Sequence, residues 1–464
     1  MFTPIRGNFL MKKKTKNKIY VGIDIGGTKI AVGLVDQAGK LSAVKKCPTP
    51  EPGTGARILH LVEKLVRELL DEEGVNVSSL RGIGAGVPGI VQPDHRGILI
   101  TPNVGLSRYP LAALLERSFK TKVVLGNDVN LGVLGEKWFG AGKGINNIVG
   151  LFPGTGVGGA IIIGGQLITG AQGAAGELGH MILDLRSSQK SAGLYGTLEA
   201  LASRRAIERA IKTAVAQKVP TVITKIQKGK LDTIKSQVIA EALRRKDPLT
   251  VRVMNEACHV LGQACVSLRH ILNPEMIILG GGVIEACGDY MLPRIRKISA
   301  ADPFFKGIDD CRVERSFLGD DAVILGAVVL LKQVLGEKIT SGVGYYPKLR
   351  ADQKGNIWVN DKLVRKNIYI RADGKVKKIN GTAVFNELDR SRRLGISALR
   401  RVCKKGPKIL IVGSTRRRPR ITPEGKKFLK EHLVQTRLLD VKGAVKAYNA
   451  SRERKTMVVY RKET

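Results

Sequence analysis

The sequence has no apolar run near the eighteen or so residues that a membrane-spanning helix needs, so we expect no transmembrane segment. Its six cysteines are scattered and form no CxxC pair, which argues against disulfides and a thiolate metal site. Residues 1–18 hold six basic and no acidic side chains but lack the apolar segment and cleavage site of an export signal, and Met11 is an alternative start. Together these absences predict a cytoplasmic protein.

Two common phosphate-binding motifs are also missing. No string in the chain has the spacing of a Walker loop, four residues between a glycine and Gly-Lys-Ser/Thr. A Rossmann fingerprint needs its glycines between a strand and a helix. Here Gly26 and Gly27 lie between two apolar, β-prone runs, Val21–Ile25 and Ile30–Val35. Strand, Gly-Gly and strand predict a β-hairpin.

The turn of this hairpin carries Asp24 just before it and Thr28 and Lys29 on it. Paired glycines let backbone N–H groups approach an anion closely, because no Cβ stands in the way. Asp24 can hold the Mg²⁺ that accompanies a phosphate, directly or through water. The alternative is a tight turn in which Thr and Lys have no binding role.

A second glycine turn repeats the pattern, since Gly154–Gly159 lies between β-prone runs within residues 148–163. Two such hairpins predict two duplicated lobes that face each other across a cleft. Between them, a short strand at residues 122–125 leads into Asn127 and Asp128. The carboxyl end of a strand is where an open α/β sheet binds its ligands. The alternative for Asp128 is a cap on the following helix.

Charge divides the chain near residue 340. Residues 341–464 hold 33 basic and 10 acidic side chains, whereas residues 19–340 hold 39 and 30. At 464 residues we expect two or three domains. We predict a basic N-terminal extension (1–18), an N-terminal lobe (19–133), a C-terminal lobe (134–336) whose last helix returns to the first lobe, and a basic accessory α/β domain (341–464).

Residues 19–335 resemble the ROK family of bacterial sugar kinases and sugar-responsive repressors. Eight motifs stand in family order: DIGGTK (24–29), GVPG (86–89), PN (102–103), NDVN (127–130), GTGVGG (154–159), GELGH (176–180), TLEALAS (197–203) and NPEMIILGGGV (273–283).

The resemblance implies an α/β, two-lobed actin-like or hexokinase-like ATPase fold that binds ATP and Mg²⁺ in its cleft and phosphorylates a hexose hydroxyl. Asp128 would be the general base. The sugar would contact Asn103, Asn127, Glu177, His180 and Glu199. ATP would contact Asp24, Gly26, Gly27, Thr28, Lys29, Thr155, Gly156, Gly281 and Gly282, with Asp24 at the metal. The chemistry agrees, because phosphoryl transfer to a weakly nucleophilic hydroxyl needs positioning and charge neutralisation above all.

The sequence departs from the family at its structural zinc site. Most ROK proteins bind Zn²⁺ through the motif histidine, here His180, and three cysteines. Those cysteine positions align with Lys190, Ala192 and Thr197. One histidine cannot form a four-coordinate site, so we expect no zinc.

Residues 341–464 lie outside the ROK pattern. In this region we expect a turn at Asp373 and Gly374, a buried strand at residues 407–413 and a capped helix that starts at residues 422–424. Residues 341–464 resemble a family of small uncharacterised domains that includes a respiratory complex I assembly factor, through the ILIVGS strand, the TPEGKKFLKEH helix and the AVKAYN helix. The loop Ser414–Arg420 contains four arginines and could bind a nucleic acid or another polyanion through phosphate contacts. The alternative is a solvated basic surface.

Three functions remain open from the sequence. The first is a glucokinase-type hexose kinase, with the hexose (glucose, mannose or an N-acetylated hexosamine) not specified. The second is a sugar-responsive regulator that binds DNA through the C-terminal domain. The third is a catalytically silent scaffold. We also expect a homodimer.

Overall fold

The computed structural model describes residues 18–102, 104–305, 307 and 311–339 of the chain, followed by shorter stretches up to residue 460. These stretches are 349–352, 356–359, 362–364, 367–371, 376–378, 393–403, 407, 409–414, 420–432, 434–451 and 455–460. No helix in these ranges is both long and apolar enough to span a bilayer.

The N-terminal lobe is built on a five-stranded sheet. Its elements in chain order are β1 (Ile19–Ile25), β2 (Lys29–Asp36), β3 (Leu41–Pro48), α1 (Gly55–Glu73), β4 (Leu80–Val87), β5 (Ile90–Val91), β6 (Ile98–Ile100), α2 (Leu111–Phe119), β7 (Val123–Asn127) and α3 (Asp128–Phe139). The strand order is β3-β2-β1-β4-β7, with β2 antiparallel to β1 and β3, and β1, β4 and β7 parallel. The predicted hairpin is confirmed, because Ile25 pairs with Ile30 across the glycine turn.

The C-terminal lobe repeats this plan. It contains β8 (Ile148–Pro153), β9 (Val157–Ile163), β10 (Gln166–Leu167), β11 (Lys190–Ser191), β12 (Leu194–Tyr195), α4 (Leu198–Ala202), α5 (Arg204–Ala216), α6 (Val222–Ile226), α7 (Ser236–Arg244), α8 (Pro248–Leu272), β13 (Met276–Leu279), α9 (Gly281–Ala300) and β14 (Arg312–Arg315). Its sheet order is β10-β9-β8-β13-β14, with an antiparallel hairpin followed by parallel neighbours as in the first sheet. The predicted second hairpin is therefore confirmed.

Helix α8 shows how the sequence builds the core of this lobe. Apolar side chains recur along one face at helical spacing, and both Cys258 and Cys265 on that face are buried. Burial raises the pKa of each thiol to about 12, which keeps both protonated at neutral pH. The two cysteines therefore fill core space, as the sequence predicts.

Helix α10 (Ala322–Val334), the last helix of the two lobes, packs on the first sheet. Glycines make the approach possible, since a Cβ on Gly84 would lie 2.1 Å from the carbonyl oxygen of Ala327. Just beyond the helix, Glu337 accepts from the Tyr20 hydroxyl and lies 2.6 Å from Arg81 Nε. These contacts attach the segment after α10 to the N-terminal lobe.

The C-terminal region forms a separate α/β unit with its own buried clusters. Its elements are β15 (Leu349–Ala351), β16 (Ile357–Val359), β17 (Lys362–Val364), β18 (Ile368–Ile370), β19 (Val376–Lys378), β20 (Arg393–Leu394), α11 (Ile396–Val402), β21 (Ile409–Ser414), β22 (Arg420–Ile421), α12 (Pro423–Glu431), β23 (Gln435–Asp440), α13 (Val441–Ala450) and β24 (Lys455–Tyr460). The main sheet has the order β19-β18-β24-β21-β23.

Two details of this unit were predicted. The helix at Pro423 begins with the expected cap, because the Thr422 hydroxyl accepts from the Gly425 N–H at 3.1 Å. The buried strand before the basic loop is β21. Within that loop, residues 415–419 lie outside the described residues, as does the predicted turn at Asp373 and Gly374.

Candidate active site

The first glycine turn joins β1 to β2 at the edge of the cleft. The Gly26 N–H donates to the Lys29 carbonyl at 2.9 Å and closes the turn, while Gly27 and Thr28 are exposed. Asp24, next to last in β1, is half-buried. Burial raises the pKa of its carboxyl to about 6, an effect that the nearby Lys29 ammonium opposes.

Asp128 stands at the start of α3, directly after β7. The capping position belongs instead to Asn127, whose Oδ1 accepts from the Asn130 N–H at 2.9 Å and whose Nδ2 donates to the Gly89 carbonyl at 2.9 Å. The alternative reading of Asp128 as the helix cap is therefore wrong. Its Oδ1 accepts from the neighbouring Val129 N–H at 2.9 Å.

The pKa of Asp128 reflects its place in the cleft. Burial, the largest cause, and the charges of Asp24 and Glu177 together raise this pKa to about 7. Parallel pairing explains the meeting of the two aspartates: Asp24 pairs with Gly86 of β4, and Val87 pairs with Asn127 of β7. Both aspartates therefore lie at the carboxyl ends of the parallel strands β1, β4 and β7.

Three of the predicted sugar-binding side chains lie close enough to influence one another. Burial raises the pKa of Glu177, with His180 lowering it and Glu199 raising it. The His180 Nδ1 atom is buried and has no hydrogen-bond partner within the described part of the chain. A buried ring nitrogen without a partner is costly, and a ligand hydroxyl would satisfy it. Asn103 lies outside the described residues.

The second glycine turn lies against Glu199. The Gly154 N–H donates to the Gly156 carbonyl at 2.8 Å, and Val157 N–H donates to Glu199 Oε2 at 2.8 Å. A Cβ on Gly156 would lie only 2.1 Å from that carboxylate oxygen, so the close contact requires glycine. Thr155, at the tip of the turn, is exposed. This turn therefore connects a predicted phosphate contact to a predicted sugar contact.

Helix α9 begins where β13 ends, at the predicted adenosine-binding glycines. Gly281 has φ +77°, and a Cβ there would lie 2.8 Å from the Pro153 carbonyl oxygen. A Cβ on Gly282 would have no neighbour within 4 Å in the described structure. The start of a long helix presents unpaired N–H groups, and the space beside Gly282, where a side chain would stand, is open.

The positions of the family's zinc ligands are used differently. The Thr197 hydroxyl caps α4 by accepting from the Ala200 N–H at 3.1 Å. Lys190 pairs with Tyr195 in the β11–β12 hairpin, with its ammonium 5.4 Å from the ring centroid. The described residues contain no cluster of three or more His, Cys, Asp and Glu side chains suited to a metal. The donor set does not fit structural zinc, and the zinc content of the protein stays a prediction.

Magnesium has a different requirement, because it commonly binds one or two carboxylates together with substrate phosphates and water. Asp24 fits that donor set. Its carboxyl lies at the glycine turn, and its raised pKa indicates a site where an added cation would stabilise the ionised form.

Sequence reasoning missed two supporting side chains. The Ser191 hydroxyl, on β11, donates to Glu199 Oε1. The Asp320 carboxylate pairs with Lys29 at 2.6 Å and so holds the predicted phosphate-binding ammonium. Neither pairing has a local sequence signal, because 291 residues separate Lys29 from Asp320, and the turn of the β11–β12 hairpin lies between Ser191 and Glu199.

Comparison with known proteins covers the same part of the chain as this site. The ROK family pattern matches residues 20–334. A glucokinase of Thermotoga maritima is 33% identical over 320 residues, which cover 68% of this chain and 98% of that protein. The xylose repressor of Caldicellulosiruptor bescii is 30% identical over 311 residues, which cover 67% of this chain and 77% of the repressor.

A solved structure agrees with these matches. The ROK family glucokinase from Streptomyces griseus, in complex with glucose and AMPPNP, has a TM-score of 0.59 and 31% identity, covering 68% of this chain and 99% of that one. The predicted two-lobed, actin-like and hexokinase-like fold is thereby confirmed, whereas the resemblance proposed for residues 341–464 stays a prediction. Because the family pattern matches residues 20–334 and the Thermotoga maritima glucokinase is 33% identical, the chain belongs to the ROK family.

Proposed function

We propose that the protein transfers the γ-phosphoryl group of ATP to a hydroxyl group of a hexose. The observation that carries the proposal is the pair of carboxyls at the carboxyl ends of the parallel strands in the first sheet. Asp24 lies at the first glycine turn, and Asp128 has a pKa near 7. A general base works best with a pKa close to the working pH.

In this proposal each part of the cleft has one task. Asp128 accepts the proton of the attacking hydroxyl, and Asn127, Glu177, His180 and Glu199, together with Asn103, hold the other hydroxyls. The two glycine turns hold the phosphates, with Thr28, Lys29, Thr155 and Gly156 nearest to them, and Gly281 and Gly282 lie against the adenosine. Asp24 would hold Mg²⁺, which neutralises phosphate charge when it is bound.

The similarity to a glucokinase with bound glucose and AMPPNP supports the choice of ATP and of a hexose. Because the zinc-ligand positions differ, we do not transfer the relatives' sugar preference. The decisive experiment couples ADP release to NADH oxidation with purified protein, Mg²⁺, ATP and, in turn, glucose, mannose, N-acetylglucosamine and N-acetylmannosamine. Sugar-dependent ADP release supports the proposal. Its absence with every hexose contradicts it.

A regulatory function is the second candidate, favoured by the similarity to the xylose repressor. It would require the basic C-terminal domain to bind DNA and the cleft to act as a sugar sensor. Turnover measured on the purified protein separates the two, since a sensor needs sugar binding without phosphoryl transfer. We place either activity in the cytoplasm.

A further inference from the structure

Three charged side chains meet beside the first glycine turn. Asp320, in a short turn at Gly319–Asp321 that precedes α10, lies between two lysines. Its Oδ1 is 2.6 Å from Lys29 Nζ, and its Oδ2 is 2.8 Å from Lys46 Nζ. One carboxylate therefore pairs with two ammonium groups.

Strand register explains why the two lysines converge. Lys46 of β3 is the direct partner of Ala31 of β2, and Lys29 lies two residues before Ala31. Alternate residues of a strand point to the same face, so the two lysines are diagonal neighbours on one face. Like charges in this arrangement repel, and Asp320 offsets the repulsion. By formal counting the three side chains keep a net charge of about +1, which an ionised Asp24 nearby would offset, so an anion would be bound by direct contact with the two ammonium groups.

The cluster adjoins the first glycine turn, because Lys29, which pairs with Asp320, is the first residue of β2 after that turn. The end of β3 is also bonded to the turn, because the Thr49 hydroxyl donates to the Gly26 carbonyl at 2.6 Å. Lys46 therefore belongs to the same surface as the predicted phosphate-binding turn, although no motif contains it.

We propose that Lys46 is a further nucleotide-binding residue. With Lys29 it forms a pair of ammonium groups that Asp320 holds beside the glycine turn and that bind the phosphates of ATP. Both are accessible to a ligand, since 43% of the Lys29 side chain and 34% of the Lys46 side chain are exposed. The inference rests on the proposed kinase function for the identity of the ligand as ATP.

The competing explanation is that the Lys46–Asp320 pair only fastens β3 to the start of α10. The neighbouring Lys45 provides a control for it. Lys45 points to the other face of β3 and lies 2.6 Å from both Glu68 and Glu72 of α1. Removing either lysine breaks ion pairs that β3 makes with another element, but only Lys46 adjoins the glycine turn.

The test compares Lys46→Met, Lys45→Met and Lys46→Arg with the wild-type protein. At saturating hexose we expect Lys46→Met to raise KM for ATP about tenfold, the change that one charge-assisted contact of ~1.4 kcal/mol gives. Its KM for hexose and its melting temperature should match those of Lys45→Met, which keeps the wild-type KM for ATP. Lys46→Arg, which retains the charge, should stay within about threefold of wild type.

Calorimetric titration with inorganic triphosphate measures the same site without turnover. We expect wild type and Lys45→Met to bind it equally and Lys46→Met to bind it about tenfold more weakly. Equal KM for ATP and equal triphosphate affinity in Lys46→Met and Lys45→Met would overturn the inference. A wild type that binds triphosphate but phosphorylates no hexose would instead contradict the proposed function and leave the phosphate site in place.

Discussion

Replacing Asp128 with asparagine tests the centre of the proposed mechanism. The substitution keeps the size of the side chain and leaves the helix cap intact, because Asn127 supplies that cap. It removes the proton acceptor. Loss of a general base typically lowers turnover by about 10²–10⁴-fold, so we expect kcat to fall by that amount while hexose affinity changes little.

The structure also gives the effect of Asp128→Asn on stability, and we expect a gain. The pKa of Asp128 rises from an ordinary 3.8 to about 7. One pKa unit corresponds to about 1.4 kcal/mol, so the ionised form costs the folded state up to ~4 kcal/mol. Asp24 shares this cost, and the half-buried site is partly solvated, so we expect Asp128→Asn to regain about 1–2 kcal/mol at pH 8.

The dependence on pH follows from linkage. Because the folded-state pKa is raised, folding favours the protonated carboxyl; that stabilisation is complete below about pH 4 and is lost as the pH rises through about 7. The melting temperature of Asp128→Asn should therefore exceed that of wild type by a few degrees at pH 8. The two values should converge toward pH 4.

Coupled ADP release measures kcat, hexose titration calorimetry measures binding, and thermal melts at pH 5, 7 and 8 measure stability. Asp289→Asn is the matched control, because Asp289 is a fully exposed aspartate whose partner, Arg315, lies 3.2 Å away. It should change neither kcat nor the pH dependence of melting. Turnover of Asp128→Asn within a few fold of wild type, or a lower melting temperature at pH 8, would refute the reasoning.

Three further predictions use other parts of the chain. The wild-type kcat/KM for hexose should fall about tenfold per pH unit below pH 7, since Asp128 of the free enzyme must be ionised to accept a proton; a flat profile from pH 5.5 to 8.5 would contradict this. The purified protein should contain no stoichiometric zinc and should keep its activity and melting temperature in a strong chelator once Mg²⁺ is restored. One zinc per chain by metal analysis would show that this is wrong. Nucleic acid binding by the basic C-terminal domain should weaken with salt, with a log–log slope of about −0.9 per phosphate neutralised. Deleting residues 341–464 should abolish it and preserve kinase activity, because the family match ends at residue 334. Filter binding at two salt concentrations measures this, and no binding at low salt would leave the basic surface without that function.

How far the sequence predicts the structure depends on the range of the interactions. The hairpin around Gly26 was predictable because two alternating apolar runs and a Gly-Gly turn carry the signal locally. The same holds for the Thr422 cap. The β3 strand was missed, although Thr49, the residue that follows it, is bonded to Gly26. Two lysines and one proline interrupt its apolar pattern, and pairing with β2 overrides that weak local preference.

The site divides in the same way. Motif order located Asp24 and Asp128, but it gave no information on what surrounds them. Asp320 is separated by 291 residues from Lys29, so only the folded chain brings them together. Val157 is separated by 42 residues from Glu199, whose carboxylate it contacts together with the nearby Ser191. Sequence patterns thus predicted the reacting groups of the proposed mechanism, and tertiary packing supplied the side chains that surround them.

The surroundings of the two aspartates explain how one cleft can assign them different tasks. Burial raises the pKa of both carboxyls, but Lys29 and Lys46 are close enough to Asp24 to oppose the rise there. The charges of Asp24 and Glu177 instead raise the pKa of Asp128 further. Asp24 is therefore ionised at neutral pH and available to a cation, whereas Asp128 titrates near pH 7 and can take up and release a proton. In the proposed mechanism, cations on one side of the cleft and acids on the other would separate the two carboxyls into a metal ligand and a base.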